Sequence, residues 1–392
     1  MEDVVIVSGA RTPVGDFGGS LRDVLPHQLA GFVVEEVLNR GKVEKEKVEE
    51  IVLGNCLQRS DEPNLARVVA VENNFPKETM GFTVQKQCAS GMQAVISGAQ
   101  AIRLEDAEVT ISGGAESMSS TPYVLKQARW GARLQHGEMT DALWELLMDP
   151  HYKIMMGETA ENLAEKYGIT REEQDEIAFR SHTNASKAIS NGIFEEEIIP
   201  VNVSKRKKQI SVDTDEHPRE DVSIEQLASL KPAFRKGGTV TAGNASGIND
   251  GAAALLLMSA SKAQKMDLKP LGRIVSYAGA GVEPDLMGYG PVPATQKALQ
   301  KADMNLGQIE LIELNEAFAA QYLACEKLLD LNRDITNVNG SGVALGHPVG
   351  CTGARIIVSL LHEMARRDLK IGLATLCVGG GMGMATIVER FK

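Results

Sequence analysis

The sequence predicts an α/β fold built from two duplicated halves, each with a mixed sheet, and a charged region inserted between them. Three observations predict it. Four features of the first 115 or so residues recur in the same order within roughly the last 120. Strands and helices alternate through both stretches, and the stretch between them differs in character.

Each half opens with a strand and a small-residue turn, DVVIVSGARTP at 3–13 and GRIVSYAGAGVEP at 272–284. An amphipathic region then leads to an apolar strand, VEEIVLGNC at 48–56 and IELIELNEA at 309–317. Next comes a cysteine at the head of a small-residue helix, CASGMQAVISGAQAI at 88–102 and CTGARIIVSLLHEMA at 351–365. A strand ending in glycines follows, VTISGGA at 109–115 and LATLCVGGG at 373–381. The offset between matched features stays at about 260–270 residues, which coincidence among single motifs would not give. Buried β-branched runs between helices imply a mixed sheet in each half, the two halves packed face to face.

The stretch at about 116–245 is richer in charge and in isolated helices. Within it, Thr170 and Glu173 form a capping-box pattern opening a helix that runs toward Gly192, a C-terminal stop. GAAALLLMS at 251–259 reads as a strand returning to the first half. The expected division is therefore 1–118 with 246–270, an inserted lid-like loop domain at 119–245, and 271–392.

With 43% hydrophobic and 24% charged residues, the 392-residue chain has material for a large core. A formal net charge of −11 argues against nucleic acid as a partner, since neutralising phosphates takes a basic face. The longest apolar run, Ala252 to Met258, is strand-sized and far short of a membrane span. A strand-like Val4–Val7 at the start and Glu389-Arg390-Phe391-Lys392 at the end match no targeting signal, so a cytoplasmic protein is expected. Five cysteines, an odd number with no CxxC pair, suit a reducing compartment.

Four residues could carry chemistry. Cys88 stands where a helix begins, with Met92, Val95, Ile96, Ala99 and Ile102 as the apolar face behind it. The positive end of a helix dipole lowers a thiol pKa and favours thiolate, so Cys88 reads as a nucleophile; a small packing cysteine is the competing reading. His347 lies in the glycine-crowded GSGVALGHPVGCTGA at 340–354, a loop that the duplication sets opposite Cys88. Cys377 ends a strand just before free glycine N–H groups, where a thiol can act as acid or base. Asn315 follows an apolar strand and starts a helix, either as an ordinary N-cap or as a group aimed at the interface between the halves. GGGMG at 379–383 is not GxGxxG, and His347 with Cys351 is the only close pair a zinc site could draw on, so neither a dinucleotide site nor a metal is expected.

QCASGMQA at 87–94, NEAFA at 315–319, GHPVGCTGAR at 346–355 and CVGGGMG at 377–383 resemble, together and in order, the motifs of the thiolase family. The likeness extends over SGARTPVGDFGG, MGETAENLA at 156–164 and TAGNASGINDGAA at 241–253. The resemblance implies α/β/α halves in a five-layer arrangement plus an inserted loop domain. It implies that Cys88 takes the acyl group as a thioester and that His347 activates it. His347 also holds the enolate oxygen of a second acetyl-CoA, with a water positioned by Asn315. Cys377 removes the α-proton, and the N–H groups of Cys88 and Gly379 form an oxyanion hole. Arg219, Ser246 and the run Lys205-Arg206-Lys207-Lys208 become candidates for holding coenzyme A, although that run reads equally as a solvated loop. Phe234, Ala242, Met287, Ala317 and Phe318 match the pantetheine and acyl pocket. Met155 stands where many biosynthetic members carry histidine.

GNASGINDGAA and MGYGPVPA at 287–294 are closer to members that form acetoacetyl-CoA than to long-chain degradative ones. The implied activity is acetyl-CoA C-acetyltransferase, with coenzyme A thioesters as substrates, no further cofactor, and a homodimer or homotetramer as the assembly. A thiolase of broader or longer chain length and a non-catalytic acyl-CoA-binding scaffold subunit are the alternatives.

Overall fold

The computed structural model describes residues 2–205 and 208–391. The first half runs through β1 (Val4–Arg11), α1 (Pro26–Gly41), β2 (Glu50–Gly54), α2 (Leu65–Glu72), β3 (Met80–Val84), α3 (Ser90–Arg103) and β4 (Val109–Ser117). Helices α4 (Met156–Tyr167) and α5 (Arg171–Ser190) follow, and β5 (Asn249–Ser259) then returns to lie between β1 and β4. The second half contains β6 (Gly272–Gly281), α6 (Pro291–Ala302), β7 (Leu311–Leu314), α7 (Ala319–Leu329), α8 (Val349–Arg366), β8 (Ile371–Val378) and β9 (Met382–Arg390).

Strand order is β7-β8-β9-β6-β1-β5-β4-β2-β3. Outward from the β6–β1 junction the halves repeat one pattern. β1-β5-β4-β2 and β6-β9-β8-β7 are each antiparallel for two steps and parallel for the third. The duplication in the sequence is thus reproduced in the pairing, with β3 added as an edge strand on the first half. The halves join at two residue pairs, Val5 with Arg273 and Ile6 with Gly272.

The two sheets face each other across a helical layer rather than in direct contact. Strand periodicity sorts alternate residues to opposite faces: Leu255 and Leu257 of β5 turn inward, Leu256 and Met258 outward. Inward residues meet Met92, Val95 and Ile96 of α3 and Ala354, Ile357 and Val358 of α8. Outward residues of the first sheet pack on Leu29, Val33 and Val37 of α1 and on Leu65 and Val69 of α2. The second sheet's outer face packs on Val292 and Leu299 of α6, Tyr322 and Leu323 of α7, and Leu163 of α4. Five layers result, with α3 and α8 in the middle.

Those two central helices touch because glycines let them. A Cβ on Gly91 would lie 2.8 Å from the Gly350 carbonyl oxygen, and one on Gly353 would lie 2.5 Å from the Met92 nitrogen. The capping box is present: Thr170 caps α5 and Glu173 reaches back to the Thr170 N–H at 2.7 Å. The region after α5 is tied to β1 by buried Arg11, which bonds Glu197 at 2.6 Å and Asp215 at 2.7 Å. Among the described residues no helix is long and apolar enough to cross a membrane.

Candidate active site

The turn before α3 presents Cys88. Gln87 adopts a left-handed backbone with φ of +48°, uncommon for a residue with a side chain, and this turns the chain sharply just ahead of the thiol. Local hydrogen bonds hold the turn: Ser90 Oγ donates to the Gln87 carbonyl at 2.6 Å and accepts from the Lys86 N–H at 2.8 Å. The Cys56 thiol donates to the same carbonyl at 3.0 Å. Cys88 is half-buried and lies two residues ahead of the first helical residue.

Its titration differs from the sequence expectation. Burial raises the Cys88 pKa, and the N–H groups of Gly379 and of Cys88 itself pull against that rise. The Glu116 carboxylate adds a small push upward. Desolvation of a thiolate outweighs the helix end, so the resting group is a thiol and needs a base.

Cys377 is the last but one residue of β8 and is fully buried; burial and then the neighbouring Cys88 raise its pKa well above the ordinary value. Cys88 and Cys377 are therefore near neighbours. Beyond Cys377, Gly380 and Gly381 both have φ of +81° and turn the chain into β9, leaving the Gly379 N–H directed at the Cys88 sulfur. A Cβ on Gly379 would sit 3.7 Å from both the Gln87 side chain and the Met156 sulfur.

His347 comes from the loop before α8, where Gly346 takes φ of +91°. Its N–H donates to Asn249 Oδ1 at 2.9 Å, and its Nδ1 lies 2.7 Å from Thr352 Oγ1. Nε2 is buried and has no protein partner. Burial, assisted by the charge of Arg355, lowers the His347 pKa to about 3, so the ring is neutral. Val349, two residues on, packs in the same apolar cluster as Cys88.

Asn315 is fully buried between β7 and α7, its N–H bonded to the Thr375 carbonyl at 3.0 Å. It is not a helix cap, since Phe318 holds that place on α7. Its side-chain nitrogen stands 3.5 Å from His347 Nδ1, and its Oδ1 has no partner. Cys88 thus meets Cys377 and the Gly379 N–H, His347 meets Asn315, and Val349 packs the histidine's loop against Cys88.

The remaining residues divide between two places. Arg219 and Ala242 line a cavity of about 270 Å³ with His182, His217, Leu227 and Leu230; the Arg219 N–H donates to His182 Nδ1 at 3.2 Å. Phe234 and Phe318 meet edge to face with centroids 6.0 Å apart, and Met287 and Ala317 share their apolar cluster. The Ser246 N–H bonds the Ala317 carbonyl at 2.9 Å, which joins the two places. Met155 caps α4, its N–H held by Glu158 at 2.9 Å, while the adjacent Met156 is the side chain that reaches Gly379. Arg206 and Lys207 of the basic run lie outside the described residues.

Sequence reasoning missed Asn249, Gln87, Thr352, Met156 and Glu116. Asn249 and Thr352 sit inside quoted motifs, and spacing alone marked neither. Buried Glu116 accepts from the N–H groups of Cys56 at 2.8 Å and Gly350 at 3.0 Å, clasping the loop after β2 to the start of α8. Its burial pushes its pKa up to about 7. Among the described residues no cluster of three or more potential metal ligands exists.

Known proteins resemble this chain from end to end. Residues 4–261 match the family model for the thiolase N-terminal domain, and residues 268–390 that for the thiolase C-terminal domain. The chain is 50% identical to acetyl-CoA acetyltransferase of Escherichia coli over the full length of both. It superposes on the crystal structure of the Bacillus anthracis acetyl-CoA acetyltransferase with a TM-score of 0.99 and 57% identity, covering 100% of this chain and 99% of that one. Human mitochondrial 3-ketoacyl-CoA thiolase in complex with CoA gives a TM-score of 0.96 at 44% identity, over 100% and 98% of the two chains. With both domain models matched and likeness from end to end, the chain belongs to the thiolase family.

Proposed function

We propose that the protein is an acetyl-CoA C-acetyltransferase, joining two acetyl-CoA into acetoacetyl-CoA and CoA and catalysing the reverse thiolysis. The observation that carries this reading is the half-buried Cys88 thiol, faced by the Gly379 N–H and electrostatically coupled to a second thiol, Cys377. Full-length likeness to acetyl-CoA acetyltransferases supports the acyl group.

In the first stage neutral His347 takes the Cys88 proton, and the thiolate attacks the acetyl carbonyl. The N–H groups of Cys88 and Gly379 receive the developing oxyanion; each such donor contributes about 3–4 kcal/mol. The tetrahedral intermediate collapses to acetyl-Cys88, and the departing CoA sulfur takes the Cys377 proton. Cys377 is then a thiolate and His347 an imidazolium. In the second stage Cys377 removes an α-proton from a second acetyl-CoA, whose enolate oxygen is held by the new Nε2–H and a water on Asn315. The carbanion attacks acetyl-Cys88, acetoacetyl-CoA forms, and the released Cys88 sulfur recovers its proton from His347.

The loop region at 119–245 serves as the coenzyme A domain between halves at 1–118 with 246–270 and at 271–392. Arg219, Ala242 and Ser246 hold the tail, and Phe234, Met155, Met287, Ala317 and Phe318 line the path to the acyl pocket. We place the protein in the cytoplasm as a homodimer or homotetramer. Exposed Met80 and Phe82 on edge strand β3, and exposed Trp130 and Leu134, support self-association.

Broader chain length is the second reading, favoured by the likeness to the human 3-ketoacyl-CoA thiolase. Thiolysis measured as kcat/KM on acetoacetyl-CoA and on a medium-chain 3-ketoacyl-CoA decides between them. A higher value for the medium-chain substrate would overturn the acetyl assignment, and no thiolysis of either would leave only a binding role.

A further inference from the structure

We propose that Thr352 is a positioning residue that fixes the tautomer of His347, holding the ring proton on Nδ1 so that Nε2 presents a bare lone pair toward the reacting thiol. The inference rests on the reading that His347 activates Cys88, and it follows from counting protons in a buried, closed group. Thr352 Oγ1 lies 2.7 Å from His347 Nδ1 and 3.0 Å from the Pro348 carbonyl oxygen. The hydroxyl has one proton, and a carbonyl oxygen can only accept.

If that proton goes to Pro348, Nδ1–H donates to Oγ1 and both hydrogens are used. If instead the hydroxyl donates to Nδ1, the ring proton moves to Nε2, which is buried without any protein acceptor. A buried donor left unmade costs more than a lone pair left free, so the first arrangement is the stable one. The Asn315 amide, 3.5 Å from the same nitrogen, is too distant to compete.

The placement is rigid. Thr352 is fully buried in the first turns of α8, and the hydroxyl's bond to the carbonyl four residues back is one that helical geometry offers. The N–H of His347 is separately anchored on Asn249 Oδ1 at 2.9 Å, so the backbone and the ring are fixed by different partners. Removing the hydroxyl therefore frees the ring proton and leaves the loop in place.

Thr352→Val keeps the shape and removes the hydroxyl; Thr352→Ser keeps the hydroxyl. The histidine ¹⁵N spectrum of the intact protein, with His347→Asn assigning the resonance among seven histidines, reads the tautomer without any turnover. The expected parent signal is an Nδ1-protonated ring, lost or mixed in Thr352→Val and restored in Thr352→Ser. Acetylation of Cys88 by acetyl-CoA should slow about 100-fold in Thr352→Val, within the usual range for a mis-set general base, with KM little changed and most of the rate returned by Ser. An Nε2-protonated parent ring, or Thr352→Val acetylating at the parent rate, overturns the proposal. A parent that shows the Nδ1 tautomer yet never acetylates at Cys88 overturns the functional reading instead, and with it any catalytic use of the fixed tautomer.

Discussion

Cys88 and Cys351 occupy matched positions in the two halves, each at the head of a central helix, yet their surroundings are unlike. Cys351 lies inside the first turn of α8, fully buried, its pKa pushed up to about 12 by desolvation. Cys88 stands ahead of α3 on a left-handed turn, half-exposed and faced by the Gly379 N–H. A second matched pair differs in the opposite sense. Cys377 of β8 corresponds, through the strand pairing, to Ala115 of β4, a buried side chain with no titratable group. The first half has the nucleophile and holds alanine at that point of its strand; the second has the base, His347, and places a second thiol there. Duplication supplied two equivalent frames, and chemistry needed only one copy of each function.

That asymmetry can be broken from either side. Cys88→Ser should lower condensation and thiolysis by on the order of 10⁴-fold or more, because no second nucleophile stands in its place. Cys377→Ala should slow condensation by about 10³-fold. Acetyl transfer onto Cys88 should survive in that variant, at a rate readable by quenched-flow mass analysis. Equal loss in both stages would deny the division of labour.

A smaller effect concerns pH. His347 is held at about 3 against an ordinary 6.5, so between those values the unfolded chain binds a proton that the folded chain refuses. Stability from this group is present above pH 6.5 and falls as pH drops toward 3. His182, lowered to about 4, acts in the same direction. Denaturant midpoints from pH 6.5 to pH 4 should therefore decline, and His347→Asn should reduce the slope by about one proton. An unchanged slope would mean that His347 is not buried neutral. The smallest effect belongs to Cys351→Ala, expected to cost about 1–2 kcal/mol of stability and to leave turnover within about threefold. A large loss of activity there would erase the contrast with Cys88.

Much of the arrangement was legible because duplicated features carry their own alignment. Cys88, His347 and Cys377 were marked by residue type, glycine context and matched offsets, and β5 by a continuous apolar run. What sequence could not supply was contact between loops from distant strands. Gln87 needs a backbone angle that no composition reveals, and Met156 reaches Gly379 only because α4 packs beside the β8–β9 turn. Asn315 read equally well as a cap, and the point at which α7 begins decided against it. The expected lowering of the Cys88 pKa failed because helix position is visible in sequence and desolvation is not.

The central claim is that the first half carries the acyl group and the second half moves the protons. Intact-protein mass spectrometry of Cys377→Ala after incubation with acetyl-CoA, followed by peptide mapping, tests it directly. One acetyl group accumulating on Cys88 is the predicted result; an acetyl group on any other cysteine, or none on the protein, would contradict it.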